Sequence, residues 1–192
     1  IKEVFPEAFL SIDTLHSSVA KAAILHGADI INDITAGDYD KDMMHTIAEL
    51  EVPYIMMHMQ GMPENMQNTP QYENVVYDIL VYLKDKIGQA RHAGIKDIII
   101  DPGFGFGKTI DHNFLLLNQL SVFNLLDLPI LAGLSRKSMI WKTLEITPSQ
   151  ALNGTTALNF FALQQGAKIL RVHDVKEAVE CVKLYKTLMT TV

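Results

Sequence analysis

Two segments of this sequence carry cationic side chains in patterns that could bind an anion. Gly133–Met139, with the letters GLSRKSM, joins an apolar run to a predicted helix start, where free backbone N–H groups, Lys137 and a hydroxyl could hold an anion. Arg171 and His173 alternate in a predicted strand, so they would share one face and could hold a diphosphate. Structural roles stay open for both: a helix cap with solvated basic neighbours, and an ion pair beside a structural histidine.

A glycine-rich segment, Asp101–Thr109, follows the apolar Ile98–Ile100 and imitates a nucleotide-binding loop. A Walker A loop needs glycine five positions before its Gly-Lys pair, where this chain has Pro102. The glycines also lack the G-x-G-x-x-G spacing of a dinucleotide site. Two aromatic residues between glycines at a strand end favour the wall of a binding pocket over a plain turn.

Two further segments have weaker patterns. Asp38–Asp42 resembles the start of a calcium loop, but Met43 occupies the obligatory glycine position and no Glu closes the loop. The methionine-rich Met56–Pro63 suits irregular core packing, and His58 within it could be a core or supporting histidine. Neither segment predicts a site of its own.

Alternating strands and helices must position these segments, which implies βαβ units and a parallel sheet. The clearest helical pattern is Pro70–His92, where apolar residues recur at i, i+3 and i+4 and Pro70 suits a first turn. Gly27, Gly94 and Gly166 each follow a helix and precede a strand, where a left-handed cap is needed. The predicted strands are Phe9–Asp13, Asp29–Asp33, Tyr54–His58, Asp97–Asp101, Ile130–Gly133 and Lys168–His173, and the other predicted helices are Ser17–His26, Lys41–Leu50, Asn113–Leu126, Pro148–Gln165 and Val175–Met189.

Polar residues cluster where the predicted strands end. Six such ends favour a closed (β/α)₈ barrel, because an open doubly wound sheet would use only two or three strands for its ligand. A barrel typically takes about 250 residues and eight units, whereas this chain of 192 residues supplies six. Since the chain begins with Ile1 and not Met, we expect that about two N-terminal βα units are missing. The clustered residues are Asp13, Asn32, Asp33, His58, Asp101, Ser135, Arg136, Lys137, Arg171 and His173.

The composition excludes several classes of protein. Lys and Arg number 16 against 22 Asp and Glu, a net charge of −6, which argues against binding nucleic acid. No apolar run approaches the roughly 20 residues that cross a bilayer, and no signal peptide opens the chain, so we expect no membrane partner and a cytoplasmic location. The single cysteine, Cys181, fits a reducing compartment. No linker interrupts the alternation, which predicts one domain over residues 1–192.

Six segments together resemble the dihydropteroate synthase family and span essentially the whole chain. Each is moderate evidence alone, and their common order makes the resemblance specific. In chain order they are Ser11–Thr14, Asn32–Ile34, Met57–Gly61, Asp101–Lys108, Gly133–Ser138 and Arg171–Asp174.

The resemblance implies a (β/α)₈ barrel that condenses 6-hydroxymethyl-7,8-dihydropterin diphosphate with p-aminobenzoate, giving dihydropteroate and diphosphate in folate synthesis. It implies that the Asp101 carboxylate accepts both donors of the pterin edge, and that Asn32 and Asp13 bind the remaining ring nitrogens. Lys137 would contact the ring carbonyl oxygen and the neighbouring nitrogen. Further residues would line the pterin slot, namely Met57 and Ile34.

The resemblance also assigns the second substrate and the leaving group. Arg171 would lie against the pterin ring and, with His173, contact the diphosphate. Phe106 would pack on the p-aminobenzoate ring, whose carboxylate would contact Ser138 and the helix start beyond Gly133. Diphosphate would leave first, and Asp101, Lys137, Arg171 and His173 would carry the catalysis.

The family's first two βα units, which help to hold Mg²⁺ and close over the second substrate, have no counterpart here. We therefore expect Mg²⁺ as a cofactor with its main protein ligand in that N-terminal segment, and poor catalysis by this chain alone. The resemblance implies a homodimer. Two other functions stay open: a pterin-binding methyltransferase domain that uses methyltetrahydrofolate, and a non-catalytic pterin-binding protein. The methyltransferase has no diphosphate to stabilise, so the cationic segments favour the synthase.

Overall fold

The computed structural model describes residues 1–61 and 70–191. Within these residues all six predicted strands are present, each shorter than its sequence pattern. Met62 and Pro63, at the end of the methionine-rich run, lie outside the described residues. The strands are β1 Ser11–Asp13, β2 Ile30–Asp33, β3 Tyr54–Met57, β4 Ile98–Asp101, β5 Leu131–Ala132 and β6 Ile169–Leu170.

Helices separate the strands as the alternation predicts. Two short 3₁₀ segments replace the end of one predicted helix and the start of another, namely Leu120–Leu126 and Pro148–Gln150. No helix of the described residues is long and apolar enough to cross a membrane. The α-helices are α1 Ser17–Leu25, α2 Met43–Leu50, α3 Val75–Ala93, α4 Ile110–Asn118, α5 Ser138–Trp141, α6 Leu152–Gln164 and α7 Val175–Thr190.

The chain forms two compact units, and the first contains residues 1–58 and 81–101. Its sheet is parallel throughout, with the strand order β1-β2-β3-β4. All four residues of β3 are buried, which is typical of a parallel strand covered on both faces. In the core of this unit Ile31, Tyr54, Met56 and Ile100 of the sheet and Ile47 of α2 are fully buried.

The second unit contains residues 59–80 and 102–192. Strands β5 and β6 pair in parallel, and α4 to α7 follow or separate them. Leu116, Leu120, Phe123 and Ile130 are fully buried in its core. The prediction of a single domain over residues 1–192 stays a prediction.

The three glycine caps are confirmed. Gly27, Gly94 and Gly166 have φ angles of +93°, +102° and +106°, in the region that disfavours every residue with a Cβ. At Gly166 an added Cβ would also lie 2.7 Å from the side-chain nitrogen of Asn124. These positions therefore combine a conformational requirement with, at Gly166, a steric one.

Helix α3 begins at Val75, so the predicted start at Pro70 is wrong. Asn74, the residue before Val75, caps the helix, because its Oδ1 accepts the backbone N–H groups of Val76 and Tyr77 at 3.2 and 3.1 Å. The Asp78 carboxylate accepts the N–H of Asn74 in return, at 3.2 Å. Local capping, and not the first-turn preference of proline, sets this boundary.

The predicted strand through His173 is also wrong, because β6 ends at Leu170. Arg171 N–H still donates to the carbonyl of Ala132 at 3.1 Å, but the N–H of His173 donates to the Ser135 hydroxyl at 3.2 Å. The chain has left the ladder by then. Arg171 and His173 lie in the loop after β6, and strand alternation does not place them.

Candidate functional site

The carboxyl ends of β1 to β4 bring one set of predicted site residues together in the first unit. Asp13 ends β1 and pairs in register with Asn32, the penultimate residue of β2. Met57 ends β3 and pairs with Asp101, which ends β4. All four residues therefore lie along one edge of the sheet, and Ile34 follows directly in the loop after β2.

Hydrogen bonding orients the polar members of this set. The Asn32 side-chain nitrogen donates to Oδ1 of Asp13, which directs the amide oxygen of Asn32 away from that carboxylate. Asn32 and Asp101 are each only 6% exposed, whereas Asp13 is exposed. A buried carboxylate and a buried amide along one sheet edge suit a ligand whose edge carries both donors and acceptors.

Behind this edge lies a buried carboxylate that sequence reasoning placed only on the rim. Asp33 is fully buried and accepts four hydrogen bonds: from the backbone and hydroxyl of Thr35 at 2.8 and 2.7 Å, from Gly37 N–H at 2.7 Å, and from the Tyr54 hydroxyl at 2.7 Å. Burial and the negative charge of Asp33 raise the pKa of Tyr54. Asp33 therefore fixes the loop that carries Ile34.

A second polar group on α3 anchors the same loop. The Tyr82 hydroxyl lies 2.9 Å from Oδ2 of Asp38 and 3.3 Å from the Thr35 carbonyl, and the buried Lys86 ammonium donates to Asp38. Burial, followed by the charge of Asp38, raises the pKa of Tyr82. His58 packs edge-on against the Tyr82 ring with centroids 4.9 Å apart, a supporting position that the sequence left open.

Side-chain hydrogen bonds hold the glycine-rich loop after β4 within the second unit. Gly103, Gly105 and Gly107 have φ angles of +75°, +82° and +61°. The side chain of Asn113 accepts the Gly105 N–H at 2.6 Å, and the buried Lys108 ammonium donates to the carbonyl of Gly103 at 2.8 Å. Side-chain hydrogen bonds from Asn113 and Lys108 therefore hold this loop in its conformation.

The two aromatic residues of this loop have different environments. Phe104 is 1% exposed and belongs to the core, so the prediction that both line a pocket wall is wrong for Phe104. Phe106 is half-buried and remains available to a ligand. At Gly107 an added Cβ would lie 2.4 Å from the backbone oxygen of Gln60, so only glycine allows the two chain segments to approach.

Lys137 lies against the glycine-rich loop. Its ammonium donates to the Phe104 carbonyl at 2.7 Å and lies 4.2 Å from the centroid of the Phe106 ring. Lys137 is also the residue before α5, which begins at the half-buried Ser138. Gly133 lies four residues before Lys137. The sequence placed a cation, a hydroxyl and a helix start together, and the structure does so too.

Two residues of the same segment turn away from that helix start. The Arg136 guanidinium forms a two-pronged ion pair with Asp174, through Nε at 2.9 Å and Nη2 at 2.7 Å. Ser135 does not cap α5, since its hydroxyl contacts His173 in the loop after β6. The alternative of a helix-capping serine with solvated basic neighbours is therefore wrong for Ser135 and Arg136. Arg171 and His173 are exposed and lie in the loop after β6.

Comparison with known proteins decides the family. A family model described as pterin binding enzyme matches residues 1–173. The chain belongs to the pterin-binding enzyme family.

Its relatives in this family are dihydropteroate synthases. The enzyme of Escherichia coli K12 is 40% identical over 186 residues, which are 96% of this chain and 66% of the relative. Two solved structures are similar: the Thermus thermophilus synthase in complex with 6HMPPP, with TM-score 0.92, 34% identity and coverage of 97% of this chain and 74% of that one; and the Xanthomonas albilineans synthase with 4-aminobenzoic acid, with TM-score 0.89, 37% identity and coverage of 96% and 66%.

The fold class follows from membership of this family. Pterin-binding enzymes of this kind are (β/α)₈ barrels, and this chain carries about six of the eight βα units, as the sequence predicts. The chain spans 66% of the length of its Escherichia coli relative.

The resemblance to the dihydropteroate synthase family implies Mg²⁺ as a cofactor. Across residues 1–61 and 70–191, no three His, Cys, Asp or Glu side chains group closely enough to hold a metal ion. Mg²⁺ is bound in proteins mainly by carboxylates, substrate phosphates and water. The expectation that its protein ligand lies in a further N-terminal segment stays a prediction.

Proposed function

We propose that this chain carries the substrate sites of a dihydropteroate synthase. The reaction joins 6-hydroxymethyl-7,8-dihydropterin diphosphate to p-aminobenzoate. The observation that carries the proposal is the row of Asp13, Asn32 and Asp101 along one sheet edge, in a chain 40% identical to the Escherichia coli synthase over 96% of its length.

The pterin ring would bind at that sheet edge in the first unit. Its 2-amino and N3–H groups form a pair of donors that a single carboxylate accepts in two-pronged fashion, and the buried Asp101 offers such an acceptor. Asn32, oriented by Asp13, would donate to or accept from the remaining ring nitrogens. Met57 and Ile34 would line the slot with apolar surface.

The diphosphate and the second substrate would use residues of the second unit. Arg171 and His173 would contact the diphosphate, because an exposed guanidinium and an exposed imidazole in one loop suit a polyanion. Phe106 would pack on the p-aminobenzoate ring, and Ser138 at the start of α5 would contact its carboxylate, beyond Gly133. The 4-aminobenzoic acid bound to the Xanthomonas albilineans synthase supports this second substrate.

In the proposed reaction the bond between the exocyclic methylene and the diphosphate oxygen breaks first. A cation conjugated with the pterin results, and the Asp101 carboxylate stabilises it because the negative charge is already fixed in place. Lys137 would contact the ring carbonyl oxygen and the neighbouring nitrogen, and Arg171 and His173 would stabilise the departing diphosphate. The amine nitrogen of p-aminobenzoate then bonds to the methylene and releases one proton. Mg²⁺ would neutralise diphosphate charge.

The proposal also covers the location, the oligomeric state and the partners of the protein. By family resemblance we propose that the protein is a cytoplasmic homodimer, and sedimentation velocity across a range of concentrations tests the oligomeric state. A single species with the mass of one chain would contradict the homodimer. Nucleic acid is not proposed as a partner, because acidic residues exceed basic ones by 22 to 16.

The test of the activity is diphosphate release that depends on p-aminobenzoate. We expect pterin diphosphate to bind to this chain alone, with turnover strongly increased when an N-terminal extension of two βα units is added. Binding without release by the extended protein would favour the non-catalytic alternative. Methyl transfer from methyltetrahydrofolate without diphosphate release would favour the methyltransferase. The control variant Tyr77→Phe, at an exposed position of α3, should leave pterin binding and diphosphate release unchanged.

A further inference from the structure

Two contacts join the loops after β5 and β6 in the second unit. The first is made by Ser135, which is 5% exposed. Its Oγ accepts the backbone N–H of His173 at 3.2 Å and lies 2.9 Å from Nδ1 of the same residue. Whichever tautomer is present, Nδ1 is engaged by the hydroxyl. Nε2, on the opposite side of the ring, is the nitrogen directed away from this contact.

The second contact is the Arg136–Asp174 ion pair, and it uses almost the whole guanidinium. Nε and Nη2 donate to the two Asp174 oxygens at 2.9 and 2.7 Å, and Nη1 lies 3.2 and 2.9 Å from the carbonyls of Pro148 and Ser149. The Arg136 backbone N–H donates to the Thr155 hydroxyl at 3.1 Å. Such a planar fork fixes direction as well as distance.

Both partners of this ion pair adopt unfavourable local states. Arg136 has φ +54°, a left-handed conformation that is strained for a residue with a Cβ. Asp174 precedes α7 as its N-cap, yet its side chain makes no capping bond because it contacts Arg136. The same contact lowers the pKa of the Asp174 carboxyl. The fold therefore maintains the contact at the expense of local stability.

We propose that Ser135 and Arg136 are positioning residues that set the distance between Lys137 and His173. Arg136 directly precedes Lys137 and Asp174 directly follows His173, so their ion pair joins the chain neighbours of two residues that would contact ligand. Ser135 contacts His173 itself. This inference rests on the proposed function, in which Lys137 contacts the pterin ring and His173 stabilises the leaving diphosphate. Arg136 itself then makes no contact with substrate.

The test is the affinity for inorganic diphosphate, measured by calorimetry. Arg136→Gly removes the guanidinium and also suits φ +54°, so the chain should stay folded. We expect its affinity to fall about tenfold, on the scale found when a residue that orients a metal ligand is lost. Millimolar guanidinium should restore most of that affinity. Lys142→Ala, which removes an exposed cation from the end of α5, should leave the affinity unchanged.

Asp174→Asn separates positioning from direct contact. If Arg136 binds diphosphate directly, releasing it from Asp174 should strengthen binding, and that result would overturn the proposal. If Arg136 acts through the loops, Asp174→Asn should weaken binding as Arg136→Gly does. Should Arg136→Gly fail to fold, Arg136→Lys, which keeps the charge but loses the fork, takes its place and should also weaken binding.

A spectroscopic measurement keeps the proposal testable if diphosphate does not bind. Absence of binding by the unmodified chain counts against the proposed function and leaves the loop contacts to be judged by NMR. Ser135→Ala should shift the ¹⁵N resonance of His173 Nδ1, because that nitrogen loses its partner. Unchanged His173 resonances in Ser135→Ala would overturn the positioning role of Ser135.

Discussion

Removing one hydroxyl from the core should measurably destabilise the first unit. In Tyr54→Phe the fully buried Asp33 carboxylate loses its 2.7 Å hydrogen bond from Tyr54 and keeps three donors. A hydrogen bond to a charged group contributes about 1.5–3 kcal/mol, and water cannot readily replace it at a buried site. We expect the free energy of unfolding to fall by about 1.5–3 kcal/mol.

Urea denaturation followed by circular dichroism measures this loss at neutral pH. The matched control is Tyr77→Phe, the same chemical change at a position that is 62% exposed, which should alter stability by less than about 0.5 kcal/mol. The slope against urea should be unchanged in both variants. If Tyr54→Phe and Tyr77→Phe have equal effects, the hydroxyl does not stabilise Asp33 as described.

The same variant should change the response to alkaline pH. Burial raises the pKa of Tyr54 above its ordinary value of about 10, so above that pH the unfolded chain releases a proton that the folded chain keeps. The stability due to Tyr54 is complete below pH ~10 and declines above it. The difference between the unmodified chain and Tyr54→Phe should therefore narrow from pH 9 to pH 11. A constant difference would contradict the burial of a protonated Tyr54.

Two further predictions concern loops. Gly166→Ala should cost about 1–3 kcal/mol in urea denaturation, because φ is +106° and the new Cβ would meet Asn124, whereas Gly88→Ala, in open space on α3, should stabilise by about 0.5–1 kcal/mol; equal effects would refute the cap. Asn113→Ala removes the acceptor of the Gly105 N–H and should raise the KM for p-aminobenzoate more than it lowers kcat, measured by diphosphate release from the protein with its N-terminal extension; an unchanged KM would show that the glycine-rich loop does not need this bond.

Local patterns predicted the strands and caps well, because each depends on neighbouring residues. Gly27, Gly94 and Gly166 follow from the geometry of a helix end, and the buried strands follow from runs of apolar residues. The end of β6 could not be predicted in this way. His173 leaves the strand because its N–H donates to the Ser135 hydroxyl, 38 residues earlier. A local sequence pattern does not include both residues.

The candidate site shows the same division. The side chains along the sheet edge, such as Asp13 and Asp101, were predictable because strand ends and motif order mark them. The residues that support them were not, since Asp33 depends on a hydroxyl 21 residues away and Arg136 on a carboxylate 38 residues away. In the sequence Arg136 resembles any cation of an anion site, and only its partner reveals a different role.

The binding of the pterin by Asp101 tests the central claim most directly. Calorimetry with a pterin diphosphate should show binding to the chain without p-aminobenzoate. Asp101→Asn should weaken that binding by about 1.5–3 kcal/mol, roughly 10- to 150-fold, because one charge-assisted two-pronged pair is lost. An affinity unchanged by Asp101→Asn would contradict the assignment of this sheet edge as the pterin site.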